Sequence, residues 1–155
     1  MSLMGCSGLE WNILECSDEE IETVRQIVGV YKRYRSLLHS GVLHHADFKE
    51  KRLRARGVSA ADGSRAVWTI ASTDVLHDSF QERLRIPGLR DDHNYCVKVI
   101  RDIGDARWGW VVPQWLTLAM SEEGFTVSGL LLREVGLQLP TLWPLQAVML
   151  DIQAQ

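Results

Sequence analysis

The strongest constraint in this sequence is a change of hydrophobic period at Gly41. Before it, Ser17-Asp18-Glu19-Glu20 fits a capping box, in which the Ser17 hydroxyl and the Glu20 carboxylate each satisfy the other's backbone N–H. Three acidic residues in the first turn suit the positive end of the helix dipole. Apolar residues then recur at Ile21, Val24, Ile27, Val28, Tyr31 and Leu38, the spacing of one helical face. Lys32, Arg33 and Arg35 lie toward the C-terminal end, where cations are favoured. The pattern predicts one long amphipathic helix over 18–39, stopped by Gly41 in a left-handed C′ conformation.

Beyond Gly41 the period becomes 2. Strands are expected at Val42 to Asp47, Leu53 to Ala60, Arg65 to Thr73, Leu84 to Ile86, Tyr95 to Arg101 and Leu145 to Ile152, with weaker signals at Val111-Val112 and Trp115 to Ala119. Asp62-Gly63 predicts a type I′ hairpin turn, which needs positive φ at both central residues. Pro87-Gly88 suits a type II turn. Ser128 to Val135 reads as one or two helical turns closed by Gly136. Short strands with turn signals every few residues point to a mainly β fold, an antiparallel Greek-key-type sandwich preceded by the one long helix.

Composition narrows the functional classes. The net charge is −3, so no basic field points to nucleic acid. No apolar run is long enough to span a bilayer, and the N-terminus lacks the build of a signal peptide. Residues 1–4 are set apart as an expression leader. Cys6, Cys16 and Cys96 form an odd, sparse set that suits a reducing cytoplasm, and they read as small buried hydrophobes without a nucleophile's signature.

Three stretches resemble glycoside hydrolase family 36, the microbial α-galactosidases. The first is Gly8-Leu9-Glu10-Trp11-Asn12 with the acidic helix start, Val30-Tyr31-Lys32-Arg33-Tyr34-Arg35 and Leu38-His39-Ser40-Gly41. It is similar to the end of that family's catalytic barrel. The second comprises Gly57 to Arg65, Ala66-Val67-Trp68, Leu84-Arg85-Ile86-Pro87-Gly88-Leu89 and Tyr95, and resembles the C-terminal antiparallel sandwich. The third, Ser128-Gly129, Gly136-Leu137, Leu139-Pro140 and Trp143-Pro144, is similar to the closing stretch of that domain. The resemblance implies that residues 5–41 end a (β/α)8 barrel and that 42–155 form its C-terminal β-sandwich. It also implies a parent enzyme that hydrolyses terminal α-linked galactose with retention, through two aspartates upstream of this chain.

On that reading the chain is a non-catalytic accessory domain, inactive by itself, with no catalytic, cofactor-binding or metal-binding residues. Its partner is the remainder of the barrel, an α-galactoside reaches it only through the parent enzyme, and residues 18–39 offer a surface for self-association. The alternative is a carbohydrate-binding module. Six tryptophans are many for this length, and Trp108, Trp110 and Trp115 would form its platform, whereas Trp68 alternates with apolar neighbours and reads as core. His39, His44, His45 and Asp47 invite a metal hypothesis, but adjacent residues of a strand point to opposite faces, so His44 and His45 do not readily share an ion. Asp91-Asp92 and Glu122-Glu123 read as solvated turn carboxylates rather than an acid–base pair. Arg52, Arg54 and Arg56 alternate along one strand and read as a charged shield for an exposed face.

Overall fold

A computed structural model describes residues 12–100, 106, 109 and 111–155. Helix α1 spans Asp18–Ser40. Its capping box forms as expected: the Ser17 hydroxyl accepts the Glu20 N–H at 3.3 Å, and the Ser17 N–H donates to the Glu20 carboxylate at 2.8 Å. The Ser17 N–H foremost, and then the Ser17 hydroxyl, which also donates to that carboxylate at 2.9 Å, hold the Glu20 carboxyl below its ordinary range. At the other end Gly41 departs from expectation. Its backbone is extended, with φ of −84°, not left-handed. Glycine is required there for space, because a Cβ would lie 2.4 Å from Val58 Cγ1 and 2.5 Å from the Ser59 carbonyl.

The strands are β1 (Val42–Ala46), β2 (Leu53–Ser59), β3 (Arg65–Ser72), β4 (Arg83–Leu84), β5 (Asn94–Val99), β6 (Phe125–Ser128), β7 (Leu137–Gln138) and β8 (Ala147–Ala154). Six of them form one sheet in the order β1-β2-β3-β8-β5-β6, antiparallel at every pairing, and β4 and β7 pair as a second, small sheet. Two short helices, α2 (Gln114–Ala119) and α3 (Gly129–Glu134), complete the fold. The mainly β class with one long leading helix is the one observed.

Side chains alternate between two layers. Ala66, Trp68 and Ile70 of β3, Tyr95 and Val97 of β5, and Val148, Leu150 and Ile152 of β8 enter the main core beside β4, β7, α2 and α3. Val67 and Met149 point to the opposite face, where Val30 and Tyr34 of α1 cover them together with Ile100. Strand β3 is therefore buried on both faces from Ala66 to Ser72. Within the main core Gly57 lies opposite Trp68, and a Cβ there would fall 2.2 Å from the indole. The indole occupies the space that a side chain on β2 would need, and the His44 ring stacks on it from β1 at 6.2 Å and 12°.

Several expectations change. Trp115 to Ala119 is helical, since Trp115, Leu116 and Ala119 are buried while Thr117 is exposed, a period of 3.6 rather than 2. Val111-Val112 forms no strand. The buried residues of α1 are Val30 and Tyr34, flanked by the partly buried Leu37 and Leu38. The stripe of Ile21, Val24, Ile27, Val28 and Tyr31 is not the face that meets the sheet. Strand β8 begins at Ala147, not Leu145, because Leu145 has φ of +59° and cannot continue the ladder. Strand β6 had no counterpart in the expected pattern, and the segment at Leu84 to Ile86 contributes only Arg83–Leu84.

The β2–β3 turn is also different. Gly63 has φ of +72°, while Asp62 keeps a negative φ, so the turn is not type I′. The Ala60 N–H donates to the Arg65 carbonyl at 2.8 Å, closing a loop in which the Gly63 N–H returns to the Ala60 carbonyl at 3.0 Å. Asp62 accepts the Ser64 hydroxyl at 2.7 Å and the Ser64 N–H at 2.9 Å. One left-handed residue suffices for this geometry, and it is Gly63. Gly63→Val should lower stability by roughly 1–3 kcal/mol, the cost of a strained backbone position, since the Cβ would also press on Arg90 Cγ at 2.9 Å. Urea unfolding of the two chains measures the difference, and an unchanged midpoint would refute the strain.

Candidate functional site

The residues singled out as possible chemistry are dispersed. The Tyr31 hydroxyl and His39 are hydrogen-bonded at 2.7 Å at the end of α1. His44 is hydrogen-bonded to the buried Ser59 hydroxyl at 2.8 Å, and burial pushes its pKa down. His45 lies on the opposite face of β1, and Asp47 is exposed beyond that strand. Among the described residues no three His, Cys, Asp or Glu side chains gather as a metal ion would need. Asp91 pairs with Arg133 at 2.9 Å, and Asp92 pairs with His93 at 2.9 Å. The His93 hydrogen bond holds the Asp92 carboxyl below its ordinary range. Glu122 and Glu123 are exposed in the turn before β6.

Trp68 is fully buried, as expected for core. Trp115 is buried too, and its indole N–H donates to the Gln138 carbonyl at 2.8 Å, which removes it from any sugar platform. Trp108, Trp110 and Cys6 lie outside the described residues. Cys16 and Cys96 are free thiols, half-buried rather than fully buried. Arg54 and Arg56 are exposed on β2, whereas Arg52 precedes the strand and pairs with Glu50 at 3.3 Å and Asp74 at 3.8 Å.

One polar cluster does join distant parts of the chain. Arg65 of β3 grips Asp151 of β8 through two hydrogen bonds of 2.9 and 2.8 Å. The Tyr34 hydroxyl of α1 donates to the same carboxylate at 3.0 Å. The Arg65 guanidinium also lies 4.7 Å from the centre of the Tyr34 ring. Tyr34 is 2% exposed, so the helix is fastened to the sheet by a buried hydroxyl on a carboxylate. Burial, with the Asp151 charge next in weight, pushes the Tyr34 pKa up to about 12. Nothing local in the sequence foretells this contact, whose partners Tyr34 and Asp151 are 117 positions apart.

This arrangement of helix and sheet has counterparts in known proteins. The profile of the glycosyl hydrolase family 36 C-terminal domain matches residues 53–152. The chain belongs to this family. An Escherichia coli α-galactosidase is 27% identical over 98% of the chain, which spans 22% of that protein. The Lactobacillus brevis α-galactosidase structure superposes with a TM-score of 0.74 at 18% identity, covering 99% of this chain and 19% of that one. The family 36 α-galactosidase AgaA of Geobacillus stearothermophilus gives 0.72 at 20% identity, covering 99% and 18%. The chain thus spans about a fifth of the length of these relatives, and the likeness to the solved structures extends over α1 as well as the sandwich.

For this family 36 domain the Tyr34–Asp151–Arg65 cluster makes a measurable prediction. Asp151→Ala should cost roughly 1–3 kcal/mol, because it leaves a partly buried guanidinium and a buried hydroxyl without their acceptor. The pH dependence has a defined sign. Tyr34 titrates higher in the folded chain than in the unfolded one, so its contribution is complete below the ordinary tyrosine range near pH 10 and is lost as pH rises toward about 12. Thermal melts should therefore fall across that alkaline window, and less steeply in Tyr34→Phe. Equal alkaline slopes in both chains would refute it.

Proposed function

We propose that this chain is the non-catalytic accessory domain of an α-galactosidase-like glycoside hydrolase, whose parent enzyme hydrolyses terminal α-linked galactose from oligosaccharides with retention. The observation that carries it is the family match over residues 53–152 in a chain that spans about a fifth of its α-galactosidase relatives. In this reading residues 5–41 end the catalytic barrel and 42–155 form its C-terminal sandwich. Retention needs two carboxyls about 5–5.5 Å apart. Asp91 and Asp92 are instead engaged with Arg133 and His93, and Glu122 and Glu123 are exposed in a turn. The catalytic pair belongs to the remainder of the polypeptide, which is also this domain's partner and its only route to an α-galactoside. Structures of the Geobacillus relative hold raffinose and stachyose, which supports an oligosaccharide as the parent's substrate. A cytoplasmic location fits the free thiols of Cys16 and Cys96. No helix among the described residues is long and apolar enough to cross a membrane.

The test is direct. Nitrophenyl α-galactoside incubated with this chain should release nitrophenol at the buffer rate. Turnover that follows the protein through successive purification steps would overturn the proposal.

Self-association through residues 18–39 has its own support. The stripe of Ile21, Val24, Val28 and Tyr31 is only half-buried and Ile27 is 37% exposed, so the chain alone leaves it incompletely covered. A two-fold helix pair would satisfy both copies with one self-complementary surface. Sedimentation of the isolated chain should give a dimer that dissociates in Ile27→Glu. A monomer at every concentration would end this reading.

A further inference from the structure

Hydrogen-bond parity along β2 fixes which backbone groups of β1 are left over. The Ala60 N–H donates to the Arg65 carbonyl at 2.8 Å and the Thr73 N–H to the Arg52 carbonyl at 2.9 Å, both across the β2–β3 pair. Backbone groups of an antiparallel strand alternate sides, so the even-numbered residues of β2 bond β3 and the odd-numbered ones face β1. Val42 lies opposite Ser59, His44 opposite Gly57 and Ala46 opposite Ala55, so these three residues of β1 bond β2. The N–H and C=O groups of Leu43 and His45 therefore point away from β2, along the outer edge of the six-stranded sheet. Native sheets blunt such an edge with charged residues, proline or a bulge. Strand β1 carries none of these. It runs Val-Leu-His-His-Ala in unbroken register, with Val42 51% and Leu43 52% exposed.

Guanidinium groups flank this edge on both faces. His45, Phe48, Arg83, Arg85, Pro87 and Arg133 line a cleft of about 670 Å³ beside it. The Ile86 N–H donates to the Leu132 carbonyl at 2.9 Å, which holds the segment after β4 against α3 and brings Arg85 toward Arg133. On the opposite face Arg56 lies directly across from His45, on the side of the sheet that Val67 shares with α1. Arg133 is engaged by Asp91 at 2.9 Å, and Arg83 donates to the Gly136 carbonyl at 3.3 Å. Arg56 and Arg85 form no ion pair among the described residues. Of the carboxylates that line the cleft, Glu82 accepts the Lys49 N–H and Asp47 is exposed just beyond β1. A strand added to this edge would place its side chains alternately on the two faces. Acidic residues would then meet Arg83 and Arg85 in the cleft and Arg56 on the other side. A second copy of β1 would bring an uncharged strand and gather the arginines of both copies, so charge favours an acidic segment of a different protein.

We propose that the open edge of β1 binds an extended acidic segment of another protein as an added strand, held by the Leu43 and His45 backbone groups and by Arg56, Arg83 and Arg85. This goes beyond the accessory-domain reading and does not depend on it. In such pairing the main-chain hydrogen bonds supply affinity and the flanking side chains supply specificity. The probe is a short fluorescein-labelled peptide alternating glutamate with valine, titrated into the full chain at low salt. Its anisotropy should rise saturably. Amide exchange at Leu43 and His45 should slow on binding, while that at His44, already bonded to β2, should not. Arg85→Glu reverses a charge at an exposed position, and His45→Pro removes an outward N–H that no strand of this chain uses. Each should weaken the peptide about tenfold, the equivalent of one charge-assisted hydrogen bond, with the Tm of the chain unchanged.

Absence of saturable binding would overturn the proposal. Equal binding of a lysine–valine peptide would do so too, since it removes the role of charge. Binding that survives His45→Pro but not Arg85→Glu would show an anion held by arginines without strand pairing, and would equally end it. A dimer that His45→Pro dissociates, in a chain that takes up no peptide, would assign the edge to a second copy instead.

Discussion

The Asp151 carboxylate holds three elements together. It accepts two hydrogen bonds from Arg65 on the neighbouring strand and one from Tyr34 on the helix. Asp151 lies on β8, the last strand in sequence, which is inserted between β3 and β5 at the centre of the sheet. Without β8, β3 is paired on one side only by β2, β5 only by β6, and Tyr34 lacks its acceptor. A contact that closes so long a stretch of chain incurs a loop entropy that the contacts it makes must offset.

Two close approaches set the geometry around that anchor. Gly41 brings the end of α1 against Val58 and the Ser59 carbonyl, and Gly57 lets the Trp68 indole lie across β2. The first fixes where the helix leaves the sheet, and the second fixes how β1 sits on β2, through the stack of His44 on Trp68. Tyr95 works the same seam from the other side. Its buried hydroxyl donates to the Gly63 carbonyl at 2.7 Å and accepts the Arg90 N–H at 2.8 Å, tying the hairpin loop to the turn that contains Gly88. The left-handed Gly63 thus lies against the Gly88 carbonyl, beside a tyrosine hydroxyl held by backbone groups.

What is legible in the sequence is what depends on neighbours a few residues away. The capping box of Ser17 and Glu20, the strands from Leu53 and Arg65, and the helical turn from Ser128 to the left-handed Gly136 are set by spacing and side-chain chemistry alone. The helix at Trp115 escapes such a reading because a six-residue apolar segment carries too few positions to separate a period of 2 from one of 3.6. The packed face of α1 escapes it for a different reason. Tyr34 looks amphipathic in sequence, and only the arrival of Asp151 makes it the buried residue in place of Tyr31. The exposed Trp143 and Leu145 leave no local signal, since exposure is decided by what the rest of the fold fails to cover.

Helix α1 is continuous over 23 residues, about 34 Å at 1.5 Å per residue. Its C-terminal half is fixed to the sheet by Val30, Tyr34 and Gly41, while its N-terminal half carries an apolar stripe that the sheet does not use. An unbroken helix transmits orientation, because its hydrogen-bonded turns bend only gently in the absence of a proline or bulge. Whatever packs on Ile21, Val24 and Val28 is therefore set at a defined angle to the sandwich. A flexible linker would give the same covalent connection without that angle. The buried tyrosine makes the difference: it turns the last turns of a helix into a rigid bracket, so that the N-terminal half of α1 is held at one angle to the sheet.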